Sequence, residues 1–474
     1  MRLPGSLAGH AADYRRIEWL FLRSLAVIYL VAFVSLGVQV RGLIGSHGIS
    51  PAGDYLLAAA RALGSWRAWR LVPSLFWLAH SDAVLTWSCI VGAAVAIVLL
   101  LGFFERAALV VLFVLYLSLS SVGQDFLSYQ WDMLLLEAGF LAIFLGSSNI
   151  VIWLFRVLVF RLMFSSGAVK LLSGDPSWQG LRAMSFHYFT QPIPTPIAWY
   201  MQQLPFWFQK YSTAGVFAIE LIMPFFIFLP RRLRFTGGLS LIFLQVLILI
   251  TGNYAFFNWL SIALCLFVFD DGVLSAWSPQ GRVRVTPPRV AMAVAVLVIG
   301  LGALEMLATF GIALPQPGAG IVRLTAPLGI VNSYGLFAVM TTTRPEITVQ
   351  GSNDGVNWSD YEFIYKPGPL GRRPPWAAPH QPRLDWQMWF AALSTYGNNP
   401  WFTNFMVRLL EGSPEVLRLM ERNPFPKAPP RYVRALVSSY QFTDWGERRR
   451  TGNWWKAESS GQYLPVISLR GGGP

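Results

Sequence analysis

Apolar residues in the first two thirds of the chain run in long blocks rather than at amphipathic spacing. A helix needs about 20 mostly apolar residues to cross a bilayer. Blocks of that kind fall near residues 19–39, 83–102, 107–122, 131–147, 150–172, 211–230, 234–251, 254–270 and 289–313. The pattern predicts a polytopic α-helical membrane protein of about eight to nine spans. The first block begins near Trp19, contains Arg23 and is too long for the apolar core of a secretory signal. It is expected to remain as a span. No internal repeat stands out, which argues against a transporter built from paired halves.

The pattern changes at Pro315. In EITVQGSNDGVNWSDYEFIY, Ile347 and Val349 alternate with polar residues, and Asn353-Asp354-Gly355 then supplies a turn before Tyr361-Glu362-Phe363. That is a hairpin signature. PGPLGRRPPWAAPHQP is a Pro-rich loop, RLDWQMWFAAL a helix with Asp385 near its start, and RYVRALVSSYQFT a strand. SPEVLRLMERN offers Ser413 as N-cap and Pro414 at the first helical position. The expected organisation is a transmembrane helical domain over 1–314 and an extracytoplasmic α+β domain with a β core over 315–474.

Composition agrees with lipid as the solvent. Only 13% of the 474 residues are charged, against about 25% in soluble domains. The net charge of +13 does not point to nucleic acid, because the arginines lie in short loops between apolar blocks. With the N-terminus cytoplasmic, Arg2, Arg15, Arg16, Arg106, Arg231, Arg232, Arg234, Arg282, Arg284 and Arg289 fall inside. Arg41, Arg61, Arg67, Arg70, Arg182 and Lys210 then fall outside, in two long loops near 41–82 and 173–210. The bias favours N-terminus in and the C-terminal domain out. The second loop contains QPIPTP, which the prolines make rigid and extended. Arg outnumbers Lys 32 to 5, a skew that points to a bacterial source. Cys89 and Cys265 both lie in apolar blocks, and the five histidines are scattered. Neither a disulfide framework nor a metal site is expected, and no cofactor is implied.

Charged side chains at bilayer depth need a partner or a functional reason. The candidates are Asp132, Glu137, Lys170, Glu220 and Glu305. Asp132 and Glu137 are five residues apart and point about 140° from each other on a helix, so they do not form a paired-carboxylate site. Lys170 lies behind the small residues Ser165, Ser166, Gly167 and Ala168, which permit close helix approach. One reading pairs it with Asp132 or Glu137; in another it snorkels to the interface while Asp132 caps its own helix. Glu220 is expected to bond across helices. His187 is expected on a loop, with a hydrogen-bonding role more ordinary than a catalytic one.

Six segments carry a resemblance: QWDMLLLEAGFLAIF, RLMFSSGAVKLLSGDPSW, HYFTQPIPTPIAWY, VQGSNDGVNWSDYEF, APHQPRLDWQMWFAAL and NPFPKAPPRYVRA. In this order they resemble the lipase maturation factor family over most of the chain. The family pattern has an acidic residue after the His-Tyr pair, where this chain has Phe189. The resemblance implies a multi-span protein that helps exported lipases reach an active fold, with its C-terminal domain meeting the client. In animals that domain is lumenal in the endoplasmic reticulum; in a bacterium it would be periplasmic, with the spans in the inner membrane. The redox role linked to animal members is in doubt here, because both cysteines lie in apolar blocks. More locally, Gly167-x-x-Lys170 followed by Trp178 is similar to the segment of vitamin K-dependent γ-glutamyl carboxylases that carries their lysine base.

Two readings of function follow. A folding or maturation factor needs an exposed aromatic patch on its C-terminal domain; Trp358, Tyr361, Trp376, His380, Arg383, Trp386 and Trp389 are the candidates for client contact. An intramembrane enzyme acting on a lipid- or quinone-like substrate needs a pocket where Lys170, as base, converges with Glu137, Asp132 or His187.

Overall fold

The computed structural model describes residues 14–146, 148–274 and 286–469. Arg2, Arg282 and Arg284, counted above for orientation, lie outside the described residues. Among the described residues seven apolar helices are long enough to cross a membrane. They are α1 (Arg15–Gly37), α2 (Asp82–Leu101), α3 (Glu105–Val122), α5 (Asn149–Leu172), α6 (Phe206–Phe228), α7 (Arg231–Thr251) and α9 (Pro288–Thr309). The other two expected spans are shorter helices, α4 (Gln130–Ile143) and α8 (Phe257–Val268). At 1.5 Å per residue, α4 is about 21 Å long, less than the ~30 Å of hydrocarbon. Ten of its 14 residues are buried and the other four half-buried, so protein rather than lipid surrounds it and the length rule does not bind.

Arginines gather at one end of this bundle. The Arg16 amide donates to the Asp271 carboxylate (2.9 Å), Arg106 to the Ile143 carbonyl (3.1 Å) and Thr286 hydroxyl (2.9 Å), and Arg156 to the Phe267 carbonyl (2.8 Å). Arg231 and Arg234 both hold Asp270. These bonds place the starts of α1, α3, α5 and α7 beside the ends of α4 and α8. All nine helices therefore alternate between the same two ends, the two short ones included.

The opposite end is a cap, built from the loop before α2, the loop before α6 and the chain after α9. In the last of these, a four-stranded antiparallel sheet runs β2-β1-β5-β6. Its strands are β1 (Arg344–Ser352), β2 (Ser359–Asp360), β5 (Tyr432–Phe442) and β6 (Trp455–Ile467). A smaller pair joins β3 (Glu362–Phe363) to β4 (Met420–Arg422). The expected hairpin is present, with Gln350 opposite Asp360. Asp354 accepts the backbone N–H groups of Val356 (2.8 Å) and Asn357 (2.7 Å) within its turn. Those bonds hold its carboxyl well below the usual range. Ile347 and Val349 face the core opposite Val437 and Ala435. Helices α10 (Arg383–Ala392) and α11 (Pro400–Glu411) complete this portion. Ser413 stands at the N-cap and Pro414 opens the helix, as expected, but the cap makes no side-chain bond to that helix. The helix is only Pro414–Leu417, and the Ser413 hydroxyl donates to the His47 carbonyl (2.8 Å) instead.

QPIPTP is extended only in part: it bends over 191–193, is extended at Thr195 and enters a helix, Pro196–Gln202. It lies along the end of α7, where Thr195 N donates to Thr251 O (3.1 Å) and Asn253 N to Ile193 O (3.1 Å).

Candidate functional site

The opening turn of α4 places Asp132 at a helix N-terminus, where the macrodipole favours an anion. Its partner is neither Lys170 nor a capped amide. Arg383, in the first turn of α10, donates Nη1 to Asp132 Oδ2 (2.9 Å) and Nη2 to Oδ1 (2.8 Å), the bidentate geometry particular to arginine. Tyr116 on α3 donates its hydroxyl to the same carboxylate, and Arg383 also reaches the Phe126 carbonyl (2.6 Å). Arg383 is 1% exposed and Asp132 not at all.

Glu137, further along α4 and fully buried, collects four donors. Arg161 of α5 donates to Oε1 (2.7 Å), while Asn332 N (2.9 Å), Asn332 Nδ2 (3.2 Å) and the Tyr334 hydroxyl (2.8 Å) donate to Oε2. The expected pairing of Lys170 with Asp132 or Glu137 is therefore overturned. Lys170 lies about 13 Å beyond Arg161 along α5, too far to reach Glu137. It pairs instead with Glu220 (2.7 Å), which bonds across helices as expected. Arg161 was legible as a cation inside an apolar block of the sequence, but the expected pairing considers Lys170 as the one cation. Glu305 sits half-buried on α9.

Both α4 carboxylates thus tie the bundle to chain far downstream. The APHQPRLDWQMWF segment adds further ties. Gln39, two residues beyond α1, donates to Gln381 O (2.8 Å) and accepts from Arg383 N (3.0 Å). Ser35 Oγ meets His380 Nδ1 (2.9 Å) and accepts from Gln381 N (2.9 Å). Trp386 packs among Trp131, Tyr129 and Tyr254, and Trp389 donates to Thr190 O (2.7 Å). Of the residues expected to meet a client, Tyr361, Arg383, Trp386 and Trp389 are buried. His380 is half-buried on Ser35, and Trp358 is half-buried under the Arg434 guanidinium (4.1 Å). Only Trp376 of that group is exposed, at 54%.

The seam carries two groups with opposed titrations. Burial pushes the Asp385 carboxyl up from 3.8 to about 6, outweighing the backbone N–H bonds from Lys366 and Tyr365. Burial and the Arg383 guanidinium push His380 down from 6.5 to about 4. The folded chain holds the Asp385 proton more tightly than the unfolded chain, so this residue favours folding increasingly as pH falls through 6 toward 3.8. For His380 the unfolded chain takes the proton first, so its contribution is present above 6.5 and lost as pH falls toward 4. Asp385→Asn is expected to steepen the loss of thermal stability between about pH 7 and about pH 4.5, and His380→Gln to flatten it. Superimposable melting-versus-pH curves for the two variants would contradict this.

Lys170, Glu220 and His187 converge on a second feature, a cavity of about 390 Å³ at the cap end of α5, α6 and α7. Helix α6 is interrupted there by a π turn over Ala218–Ile222, a form of local bulge that recurs at functional sites. Gly167 lets α5 approach this turn: a Cβ added to it would lie 2.9 Å from the Glu220 Cβ. The close approach sets Lys170 against Glu220. Lys170 also donates to the Ser166 carbonyl (3.0 Å) and lies 5.3 Å from the Trp178 ring centre. His187 is not on a loop but on a short helix, Met184–Thr190, and is buried with its ring edge-on to Phe337 (5.1 Å). Asp132 and Glu137 do not line this cavity.

This arrangement defines a multi-pass helical membrane protein whose C-terminal, sheet-containing cap is fastened to the bundle by a buried ion pair and buried hydrogen bonds. The family model for the lipase maturation factor transmembrane domain matches residues 16–276, and that for the lipase maturation factor C-terminal domain matches 330–465. The chain belongs to the lipase maturation factor family. It is 36% identical to lipase maturation factor 2 of Gallus gallus, over 96% of this chain and 82% of that protein. It is 37% identical to lipase maturation factor 1 of Bos taurus, over 95% of this chain and 89% of that protein. Lipase maturation factor 2 of Homo sapiens is 35% identical, over 97% and 83% respectively. No solved structure matches the chain.

Proposed function

We propose that this protein is a membrane-embedded maturation factor that receives an exported client, a lipase by the names of its relatives, on its cap. The observation that carries the reading is the likeness to those relatives through both bundle and cap. The helical domain extends to residue 314 and the client-facing domain begins at 315. The arginine-rich end faces the cytoplasm by the positive-inside rule, which puts the cap in the periplasm of a bacterium, or in the lumen of the endoplasmic reticulum in a eukaryotic cell. Trp376 is the best placed client contact of the aromatic group, since large exposed aromatics dominate protein interfaces.

The test is complementation of a host lacking the gene. Trp376→Ser is expected to lower secreted lipase activity roughly tenfold while membrane levels of the factor stay unchanged. Full activity in a strain carrying that variant would remove Trp376 from the client surface. Full lipase activity without the gene would remove the lipase reading itself.

A further inference from the structure

We infer that the cavity beside Lys170 binds an uncharged lipid, with one apolar chain running down between α5, α6 and α7 and a hydroxyl- or carbonyl-bearing head against Lys170, Glu220 and His187. The inference does not depend on which client the cap receives. The size fits, since sites for small molecules span about 300–1,000 Å³ and are mostly apolar with a few placed polar groups. The charged groups here lie at one end, while Gln245 at the other already accepts from Asn258 Nδ2 (2.8 Å). From Lys170 and Thr251 the cavity extends about two turns, or ~10 Å, down the bundle to Met163 and Leu244, both apolar.

The walls open toward lipid. Helix α7 packs closely on the Met223–Phe228 end of α6 and far less on the Phe206–Phe217 end. Phe243 and Ile250 of α7 line the cavity and are also exposed on the outer surface of the bundle. A chain can therefore enter sideways from the bilayer, which makes an acyl chain a more natural occupant than a water-soluble molecule.

The head end has unused hydrogen-bonding capacity. An ammonium group has three N–H donors, and Lys170 directs two at Ser166 and Glu220. The second Glu220 oxygen accepts no hydrogen bond from the described residues, and neither nitrogen of the His187 ring is bonded to one, although His187 is only 8% exposed. Both residues line the cavity, where a ligand's polar head can supply the missing partner. Burial, with the Lys170 ammonium adding to it, pushes His187 down to about 4, so its ring is neutral at physiological pH. Lys170 and Glu220 compensate each other. An anionic head would set a second negative charge beside the buried Glu220 carboxylate, with one ammonium to compensate both. A neutral head that both donates and accepts fits without that penalty, and a monoacylglycerol has such a head.

The experiment uses the full chain in phosphatidylcholine vesicles containing a monoacylglycerol with a diazirine on its acyl chain. After photolysis, label is expected on the cavity-facing stretches of α6 and α7, around Gly215–Ile219 and Leu244–Ile248. Unlabelled monoacylglycerol should displace it, and the ionised fatty acid of equal length should not. A Cβ added at Gly215 meets nothing within 4 Å, so Gly215→Leu places a side chain in open space without disturbing the fold. It is expected to cut labelling at least about tenfold, and His187→Phe about threefold through the lost head contact. Thermal melting of each variant checks that it is folded, and Ile219→Trp serves as a second plug. Undiminished labelling in folded plugged variants, label spread over the lipid-facing helix surfaces, or stronger competition by the fatty acid anion would each overturn the assignment.

Discussion

Arg383→Ala is expected to reduce the protein held in the membrane to near background. The substitution leaves the fully buried Asp132 without its bidentate partner, and removing one member of a buried pair costs about 3–5 kcal/mol. Native domains have only about 5–15 kcal/mol in hand, so the loss is a large part of the margin. It also releases the cap, because Arg383 is the first residue of the helix that seats on Phe126, Tyr116 and Asp132. The control is the apolar double replacement Asp132→Leu with Arg383→Met. Well-packed apolar substitutes for buried pairs are often neutral or stabilising, so this variant should recover much of the protein level, limited by the orphaned Tyr116 hydroxyl. Quantitative blotting of membranes with limited proteolysis reads both. A single variant at wild-type level, with wild-type protease resistance, would show that the pair does not hold the cap.

The second large effect is expected at Glu137. Glu137→Ala leaves the Arg161 guanidinium, the Asn332 amide and the Tyr334 hydroxyl without their acceptor at the centre of the bundle. The estimated cost is again about 3–5 kcal/mol for the orphaned charge, with roughly 1–3 kcal/mol more for the neutral donors. Glu137→Gln keeps one acceptor oxygen and much of the volume, and should lose clearly less. The ordering alanine, then glutamine, then wild type in thermal melting of the purified protein is the readout. Equal melting for all three would mean that water or another group satisfies Arg161.

The parts of this molecule legible in its sequence are those set by near neighbours. Apolar blocks marked the helices, the alternation of Ile347 and Val349 marked β1, and Asp354-Gly355 marked its turn. Pairing of the membrane carboxylates was not legible. Asp132 could have met any cation that the packing of eight other helices and a cap brought near it, and its true partner lies 251 residues away. Local periodicity carries no information about such distances. The same limit explains the aromatic and basic residues of APHQPRLDWQMWF. Their chemistry suits an interface, and they form one, but it lies within the chain, between cap and bundle. The cavity depended on a π turn and on the splay of α6 from α7, neither of which has a sequence period of its own.

The separation of Asp132 from Arg383 also sets a timetable. A ribosome adds about 5–20 residues per second, so roughly 10–50 seconds pass between the synthesis of the acid and that of its base. Throughout that interval, while α5 to α9 are being made, α4 carries an acid without its base. The short helix can settle only when the last quarter of the chain has emerged and turned back onto it. Assembly thus finishes from the C-terminus, and a chain that stops before residue 383 keeps an orphan carboxylate that marks it as unfinished.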